Sequence, residues 1–141
     1  MTIVPSLLVT DDDSAFRDAL CEGLSRRGFH VAAARDGEEA IEKLSCAQFH
    51  FAIVDFHMPR LSGLEVVRYL KQTPMSPPCV LMSAKLDDEI RREAREMNAY
   101  QVLSKPVRLV QLNQLIRGAL ADVYGWLPDD LPQHRPGSEN G

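Results

Sequence analysis

Apolar residues in this chain fall into five short runs. The runs are separated by longer segments in which apolar residues recur with helical spacing. Each run is nearly continuous in apolar character rather than alternating, as is typical of strands buried on both faces. Strands that alternate with helices favour a parallel sheet with crossover helices. The pattern therefore predicts an α/β fold built from five strand–helix units. The runs are Ser6–Thr10, His30–Ala34, residues 49–55, Cys79–Ser83 and residues 100–104.

Apolar residues recur at spacings of three and four in the segments between the runs, which predicts amphipathic helices. We expect the third helix over residues 62–72 and the last over Leu109–Tyr124, where the apolar stripe is clearest. Asp13 or Ser14 can cap the first helix. The fourth helix is predicted to place Leu86, Ile90, Ala94 and Met97 on one side.

The apolar pattern stops after Tyr124, where prolines and polar residues predominate. We predict a folded domain over residues 1–124 and a polar, proline-containing tail or linker over residues 125–141, with little that can be buried. A chain of 141 residues has the usual size of one domain.

Net charge and cysteine usage narrow the classes of function. A formal net charge of -4 argues against a broad basic surface for nucleic acid. The three cysteines are widely spaced and are interpreted as reduced packing residues rather than as a disulfide framework. No apolar segment approaches the ~20 residues of a membrane helix, and no signal peptide is evident, so we predict a cytoplasmic protein without membrane contact.

Charged and hydroxyl residues follow four of the five predicted strands. Asp11 and Asp12 follow the first strand, Asp55 and Ser83 end the third and fourth, and Lys105 follows the fifth. Ligands of open α/β sheets bind at the carboxyl ends of the strands, so these side chains are expected to converge. Their convergence at one edge would be more specific than any single residue.

Three carboxylates in one crevice require a cation, and their oxygens suit Mg²⁺, which keeps several waters. The Asp55 carboxylate is ionised at neutral pH and can attack phosphorus without a separate base, giving an aspartyl phosphate. Lys105 and the metal would neutralise the phosphoryl oxygens, and Ser83 would donate a hydrogen bond to one of them.

Four stretches carry a resemblance to a known family: LLVTDDDSAFRDAL, FAIVDFHMPRLSGLEV, VLMSAK and VLSKPV. In this order and spacing they resemble the receiver domain of two-component response regulators, from Leu7 to about Ala121. The resemblance implies a flavodoxin-like, doubly wound parallel sheet in the order 2-1-3-4-5, flanked by five helices. It also implies that a histidine kinase or phosphotransfer protein phosphorylates Asp55.

The resemblance assigns further roles. The acid pair Asp11 and Asp12 would hold Mg²⁺ together with Asp55 and the backbone carbonyl of His57. Ser83 would be the hydroxyl that switches on activation, and Lys105 would bond the phosphoryl group, with no further cofactor. The domain would catalyse its own phosphorylation and dephosphorylation without being an ordinary enzyme. The peptide bond between Lys105 and the following proline is often cis in this family.

One position departs from the family pattern. Val102 stands where an aromatic residue usually moves inward on activation, and Tyr100 is expected on the same side by strand parity. In the family, the surface of helix four, strand five and helix five recruits partners or forms a phosphorylation-dependent homodimer. Here the arginines of helix four belong to that surface: Arg91, Arg92 and Arg95.

The output is not named by the sequence. Two explanations stay open: a regulator that binds a separate protein, or a receiver covalently linked to an output domain. A different class also fits part of the chain. Residues 11–14 match the nucleophile motif of haloacid-dehalogenase-type phosphatases, with Asp11 as the nucleophile, but this alternative leaves Asp55 unexplained.

Overall fold

The computed structural model describes residues 2–133, in which five strands form one parallel sheet. The strands are β1 (Ser6–Thr10), β2 (His30–Ala34), β3 (Phe51–Asp55), β4 (Cys79–Ser83) and β5 (Gln101–Ser104). Their order across the sheet is β2-β1-β3-β4-β5, and every neighbouring pair is parallel. The predicted α/β class and the strand order implied by the resemblance are confirmed.

Each strand is followed by a helix, and side-chain caps fix where most of these helices begin. Asp13, Asp36, Ser62 and Asp87 each accept a hydrogen bond from the backbone N–H three residues later. The helices are α1 (Ser14–Arg26), α2 (Gly37–Cys46), α3 (Gly63–Lys71), α4 (Asp88–Glu96) and α5 (Leu109–Tyr124). The predicted cap at Asp13 and the bounds of α5 are confirmed.

The predicted boundaries differ from the observed ones in a few places. The third strand begins at Phe51 rather than at residue 49, and the fifth at Gln101 rather than at residue 100. Leu86 lies before α4, because the Asp87 side chain caps that helix through the Ile90 N–H at 2.9 Å. The third helix is shorter than predicted by one residue at each end, since its predicted first and last residues are the caps.

Alternate residues of each central strand point into two separate apolar layers. Leu7 and Val9 of β1 pack against α1 and α5, whereas Leu8 faces the layer that α2, α3 and α4 cover. Both faces of the sheet are thus dry, which accounts for the continuous apolar runs. Polar groups can then gather only at the sheet edges and strand ends.

The segment after α5 returns to the body of the domain. A short 3-10 helix spans Pro128–Asp130, and Leu131, which follows it, is only 2% exposed in the layer with α1 and α5. The Ile3 N–H donates to the Asp130 carbonyl at 2.6 Å. The expectation that residues 125–141 offer little to bury is therefore wrong for Leu131; the last part of that range, residues 134–141, lies outside the described residues.

An aromatic cluster lies at the edge formed by the amino ends of the strands. The ring of Tyr124 stacks on Trp126 with centroids 4.6 Å apart, and both rings meet the His50 ring in T-shaped contacts. The Tyr124 hydroxyl donates to the His50 carbonyl at 2.9 Å, and the Ser6 N–H donates to His50 Nδ1 at 2.9 Å. These contacts tie the end of α5 to the starts of β1 and β3.

The cysteines differ in environment. Cys79 is buried and Cys21 half-buried, but Cys46 is exposed, so its interpretation as a packing residue is wrong. Within residues 2–133 no helix combines the length and the apolar character needed to cross a membrane.

Candidate functional site

Three carboxylates converge where β1 and β3 end. Asp11 is fully buried and Asp55 is 4% exposed, whereas Asp12 is exposed. One oxygen of each lies within 4.8 Å of the others. Oxygen ligands from carboxylates, with one side open to water, are what a hard divalent cation such as Mg²⁺ prefers. The donor set therefore fits the metal that the sequence predicts.

Lys105 brings a positive charge into this crevice. Its Nζ lies 2.7 Å from Asp11 Oδ2 and 3.4 Å from Asp55 Oδ1. Its backbone N–H donates to the Ser83 carbonyl at 2.8 Å, which ties the end of β5 to that of β4. The Lys105–Pro106 peptide bond is cis. The structure thus joins the predicted lysine directly to two of the predicted carboxylates.

Backbone contacts at the start of α1 hold Asp11 in place. The Asp13 N–H donates to Asp11 Oδ1 at 2.9 Å, and Arg17 Nη1 donates to the Asp11 carbonyl at 3.0 Å. Asp13 in turn accepts from the Phe16 N–H at 3.2 Å. The extra acid after the pair therefore links the acid site to the first turn of the helix.

Burial sets the electrostatics of Asp55. Loss of water, together with the negative charges of Asp11 and Asp12, raises the pKa of Asp55 from 3.8 to about 6, although Lys105 opposes the shift. Burial alone lowers the pKa of Lys105, but the hydrogen bond to Asp11 and the charge of Asp55 outweigh it and the pKa is raised. The crevice has surplus negative charge, which a divalent cation would offset.

Ser83 and His57 flank the acid site along the chain. Ser83 ends β4, is fully buried, and its Oγ accepts from the Lys85 N–H at 3.2 Å. His57 is exposed, two residues after Asp55, with its ring edge against Phe56. Gly63 begins α3 so close to this loop that a Cβ there would lie 2.9 Å from the Phe56 Cα. The glycine thus allows α3 to start against the strand that carries Asp55.

One residue of the site escaped sequence reasoning. The Phe16 ring lies beneath the Lys105 ammonium, with Nζ 4.7 Å from the ring centroid. In the sequence Phe16 is only one of the apolar residues of the first helix. The contact joins α1 to the segment after β5, so no local pattern signals it.

Tyr100 does not lie where strand parity predicts. Its hydroxyl donates to Asp122 Oδ2 on α5 at 2.9 Å, and its ring contacts Phe51 in the layer with α1 and α5. Val102 packs instead in the opposite layer, with α2, α3 and α4. The expectation that both share one side is wrong, because Tyr100 precedes β5 and is free of the strand's alternation.

Comparison with known proteins agrees with this geometry. Residues 7–117 match the family model described as the response regulator receiver domain. The chain is 36% identical over 127 residues to response regulator MprA of Mycobacterium leprae, covering 90% of this chain and 54% of the relative. It is 31% identical over 119 residues to response regulator RR06 of Streptococcus pneumoniae, covering 84% and 54%. The chain spans about half the length of these relatives.

Solved structures show the same fold. A response regulator receiver protein from Pseudomonas putida superposes with a TM-score of 0.78 at 28% identity, covering 84% of this chain and 99% of that one. The chemotaxis protein CheY4 of Vibrio cholerae gives a TM-score of 0.76 at 27% identity, covering 84% and 100%. The chain belongs to the response regulator receiver domain family, the phosphorylation-controlled switches of two-component systems. The phosphatase alternative finds no support in these comparisons.

Proposed function

We propose that this domain accepts a phosphoryl group on Asp55 and changes its partner contacts as a result. The observation that supports this most directly is the buried Asp55 carboxylate, which faces the Lys105 ammonium at 3.4 Å beside the acid pair. A nucleophile, a cation and a candidate metal site thus share one crevice. Burial strengthens every electrostatic interaction among them.

The reaction needs no separate base. An Asp55 carboxylate oxygen attacks phosphorus, and an O–P bond forms while the bond from phosphorus to the donor's leaving group breaks. The bonding electron pair departs with that group, a kinase or phosphotransfer histidine or, in vitro, the acetate of acetyl phosphate. Lys105 stabilises the charge on the phosphoryl oxygens, and Ser83 donates a hydrogen bond to one of them. Attack by water on the same phosphorus later returns the carboxylate and releases phosphate.

The same carboxylates would hold Mg²⁺. Asp11, Asp12 and Asp55 provide the side-chain oxygens, and the backbone carbonyl of His57 provides a further ligand. When bound, the metal supplies positive charge to the phosphoryl oxygens. Because burial, and after it the negative charges of Asp11 and Asp12, raise the pKa of Asp55, the cation would also favour the ionised, nucleophilic form.

The response would be read on the face formed by α4, β5 and α5. Arg91, Arg92 and Arg95 are exposed on α4, and Lys105 connects the acid site to the end of β5. We propose that phosphorylation shifts the population of two conformers of this face. A downstream protein, a linked output domain or a second copy would then bind it, with the residues after Leu131 as a tail or linker.

Covalent labelling tests the phosphoacceptor. The protein is incubated with acetyl phosphate and Mg²⁺, and the mass increase of one phosphoryl group is located by peptide mapping. We expect the label on Asp55, none in Asp55→Asn, and none when EDTA removes the metal. Asp11→Asn is the comparison variant, since it keeps the nucleophile but weakens the metal site and the ion pair between Asp11 and Lys105. Label retained in Asp55→Asn and lost only in Asp11→Asn would instead favour Asp11 as nucleophile.

A further inference from the structure

Among the described residues, the Lys105 ammonium lies near two carboxylates and one aromatic ring. The Lys105 Nζ forms ion pairs with Asp11 Oδ2 at 2.7 Å and Asp55 Oδ1 at 3.4 Å, and the Phe16 ring faces it at 4.7 Å. The Lys105 side chain is 17% exposed, so little water competes for this position. A cation over the face of an aromatic ring is attracted by the ring's negative π density.

The three neighbours would not be equally available during phosphoryl transfer. Asp55 becomes the phosphorylated group and Asp11 is a candidate metal ligand, so both carboxylates change their charge environment. The ring carries no net charge and takes up no metal. It also leaves the ammonium's N–H donors free, because the attraction does not require one of them to point at an acceptor.

The ring is itself held firmly. The Phe16 backbone N–H donates to the Asp13 side chain, which caps α1, and the ring packs against the buried layer of α1 and α5. The Asp13 N–H donates to Asp11. The chain of contacts therefore fixes the ring relative to the acid site before any phosphoryl group arrives.

We propose that Phe16 is a positioning residue whose ring holds the Lys105 ammonium toward Asp55 for phosphoryl transfer. This inference rests on the function proposed above. It assigns to the first turn of α1 a role in the chemistry that packing alone would not give it. Loss of the π face should slow phosphorylation by about three- to tenfold.

Rates of Asp55 phosphorylation by acetyl phosphate test the proposal, because a small donor avoids any effect on docking of a partner at α1. Phe16→Leu keeps an apolar side chain but has no π face, whereas Phe16→Tyr keeps an aromatic ring with its π face. We expect Phe16→Leu to be slower by the stated factor and Phe16→Tyr to recover a rate within about twofold of the parent. Equal slowing of both variants, or of neither, would overturn the proposal.

A double-mutant cycle asks whether the ring acts through the lysine. In a Lys105→Met background, Phe16→Leu should change the phosphorylation rate less than twofold, since there is no ammonium to hold. If Phe16→Leu still slowed phosphorylation three- to tenfold in the Lys105→Met background, the role of Phe16 would be packing and the proposal would be wrong. Phe29→Leu is the matched control. The Phe29 ring lies outside the acid site, and its centroid is 5.1 Å from the Arg117 guanidinium carbon. It should alter the phosphorylation rate less than twofold.

Nuclear magnetic resonance gives a second measurement that needs no phosphorylation. The protons at the end of the Lys105 side chain should show a ring-current shift in the parent and in Phe16→Tyr, and lose it in Phe16→Leu. Absence of that shift in the parent would overturn the proposal. If the parent protein were not labelled on Asp55, the proposed function would be refuted instead. The ring-current shift would still show whether the Lys105 ammonium contacts the Phe16 ring.

Discussion

The two edges of the sheet, which we call the acid edge and the aromatic edge, are built from opposite chemistry. At the carboxyl ends of the strands Asp11, Asp55 and Lys105 bury charge. At the amino ends His50, Tyr124 and Trp126 stack their rings, and Leu131 closes the layer nearby. Each edge uses residues from distant parts of the chain, but the rings of the aromatic edge, unlike the charged side chains of the acid edge, add stability directly by removing apolar surface from water.

The difference between the two edges shows how a domain can retain a site whose buried charges lower its stability. Burial of the Asp55 carboxylate beside other negative charges disfavours the folded state, as its raised pKa indicates. Apolar packing elsewhere offsets that cost. We therefore expect substitutions at the aromatic edge to lower stability and a neutral residue at position 55 to raise it.

The largest expected effect is on the aromatic edge. Leu131→Ala should lower the free energy of unfolding by about 2–4 kcal/mol, because Leu131 is 2% exposed and the change leaves a cavity. Chemical denaturation measures the difference. Leu127→Ala, in the same segment but 64% exposed, is the control and should change stability by less than about 0.5 kcal/mol. Equal effects would mean that the segment does not pack as described.

The second effect has the opposite sign. The pKa of Asp55 is about 6 in the folded protein, against 3.8 for a carboxyl in the unfolded chain, so the folded state holds the proton more tightly. The stability that this adds is present below about pH 4 and is lost as the pH rises through 6. Asp55→Asn should therefore be more stable than the parent by about 1–3 kcal/mol at pH 7.5 without divalent metal. The gain should vanish near pH 4. Asp129→Asn, an exposed acid-to-amide change, is the matched control and should change stability by less than about 0.5 kcal/mol at pH 7.5.

A smaller loss is expected from Tyr124→Phe. The change removes only the hydroxyl that donates to the His50 carbonyl at 2.9 Å and keeps the ring stacked on Trp126. Stability should fall by about 1 kcal/mol. Tyr69→Phe, on α3, is a matched control that should cost less. An unchanged unfolding midpoint for Tyr124→Phe would show that the hydrogen bond adds nothing.

The smallest effect is a pH dependence at the aromatic edge. Burial lowers the pKa of His50, and its Nδ1 accepts from the Ser6 N–H, which requires the neutral ring. The stabilisation is present above pH 6.5 and is lost as the pH falls through the lowered value. In an Asp55→Asn background, stability should drop by less than about 1 kcal/mol from pH 7.5 to 5. His50→Gln should flatten this slope, and a slope that persists would point to another group.

Sequence predicted most of the acid edge because its residues follow strands whose apolar runs are easy to recognise. Asp11, Asp55 and Lys105 could be expected at one edge once the strands were parallel. The ring of Phe16 could not, since its place depends on how α1 packs near the segment after β5. The spacing of apolar residues predicts which face of a helix is buried, but it does not predict which side chain from another element packs against that face.

The aromatic edge was harder to predict for the same reason. Leu131 is a single apolar residue among prolines and acids, so no repeat marks it as buried. Tyr100 escaped the alternation rule because it lies one residue before β5. The structure fixes the positions of Ser83 and His57, and their roles in the chemistry stay predictions.

The hydrogen bond between the Ile3 N–H and the Asp130 carbonyl has a consequence for protein engineering. The backbone near residue 3 is adjacent to the backbone near residue 130, so a short peptide that starts after Leu131 could lead back to residue 3 with little loop entropy and keep that buried side chain. New ends could then be opened at Met75, which is 92% exposed in a turn after α3. A circular permutant of this design would keep all five strands and the acid edge intact, with both of its ends beside α3.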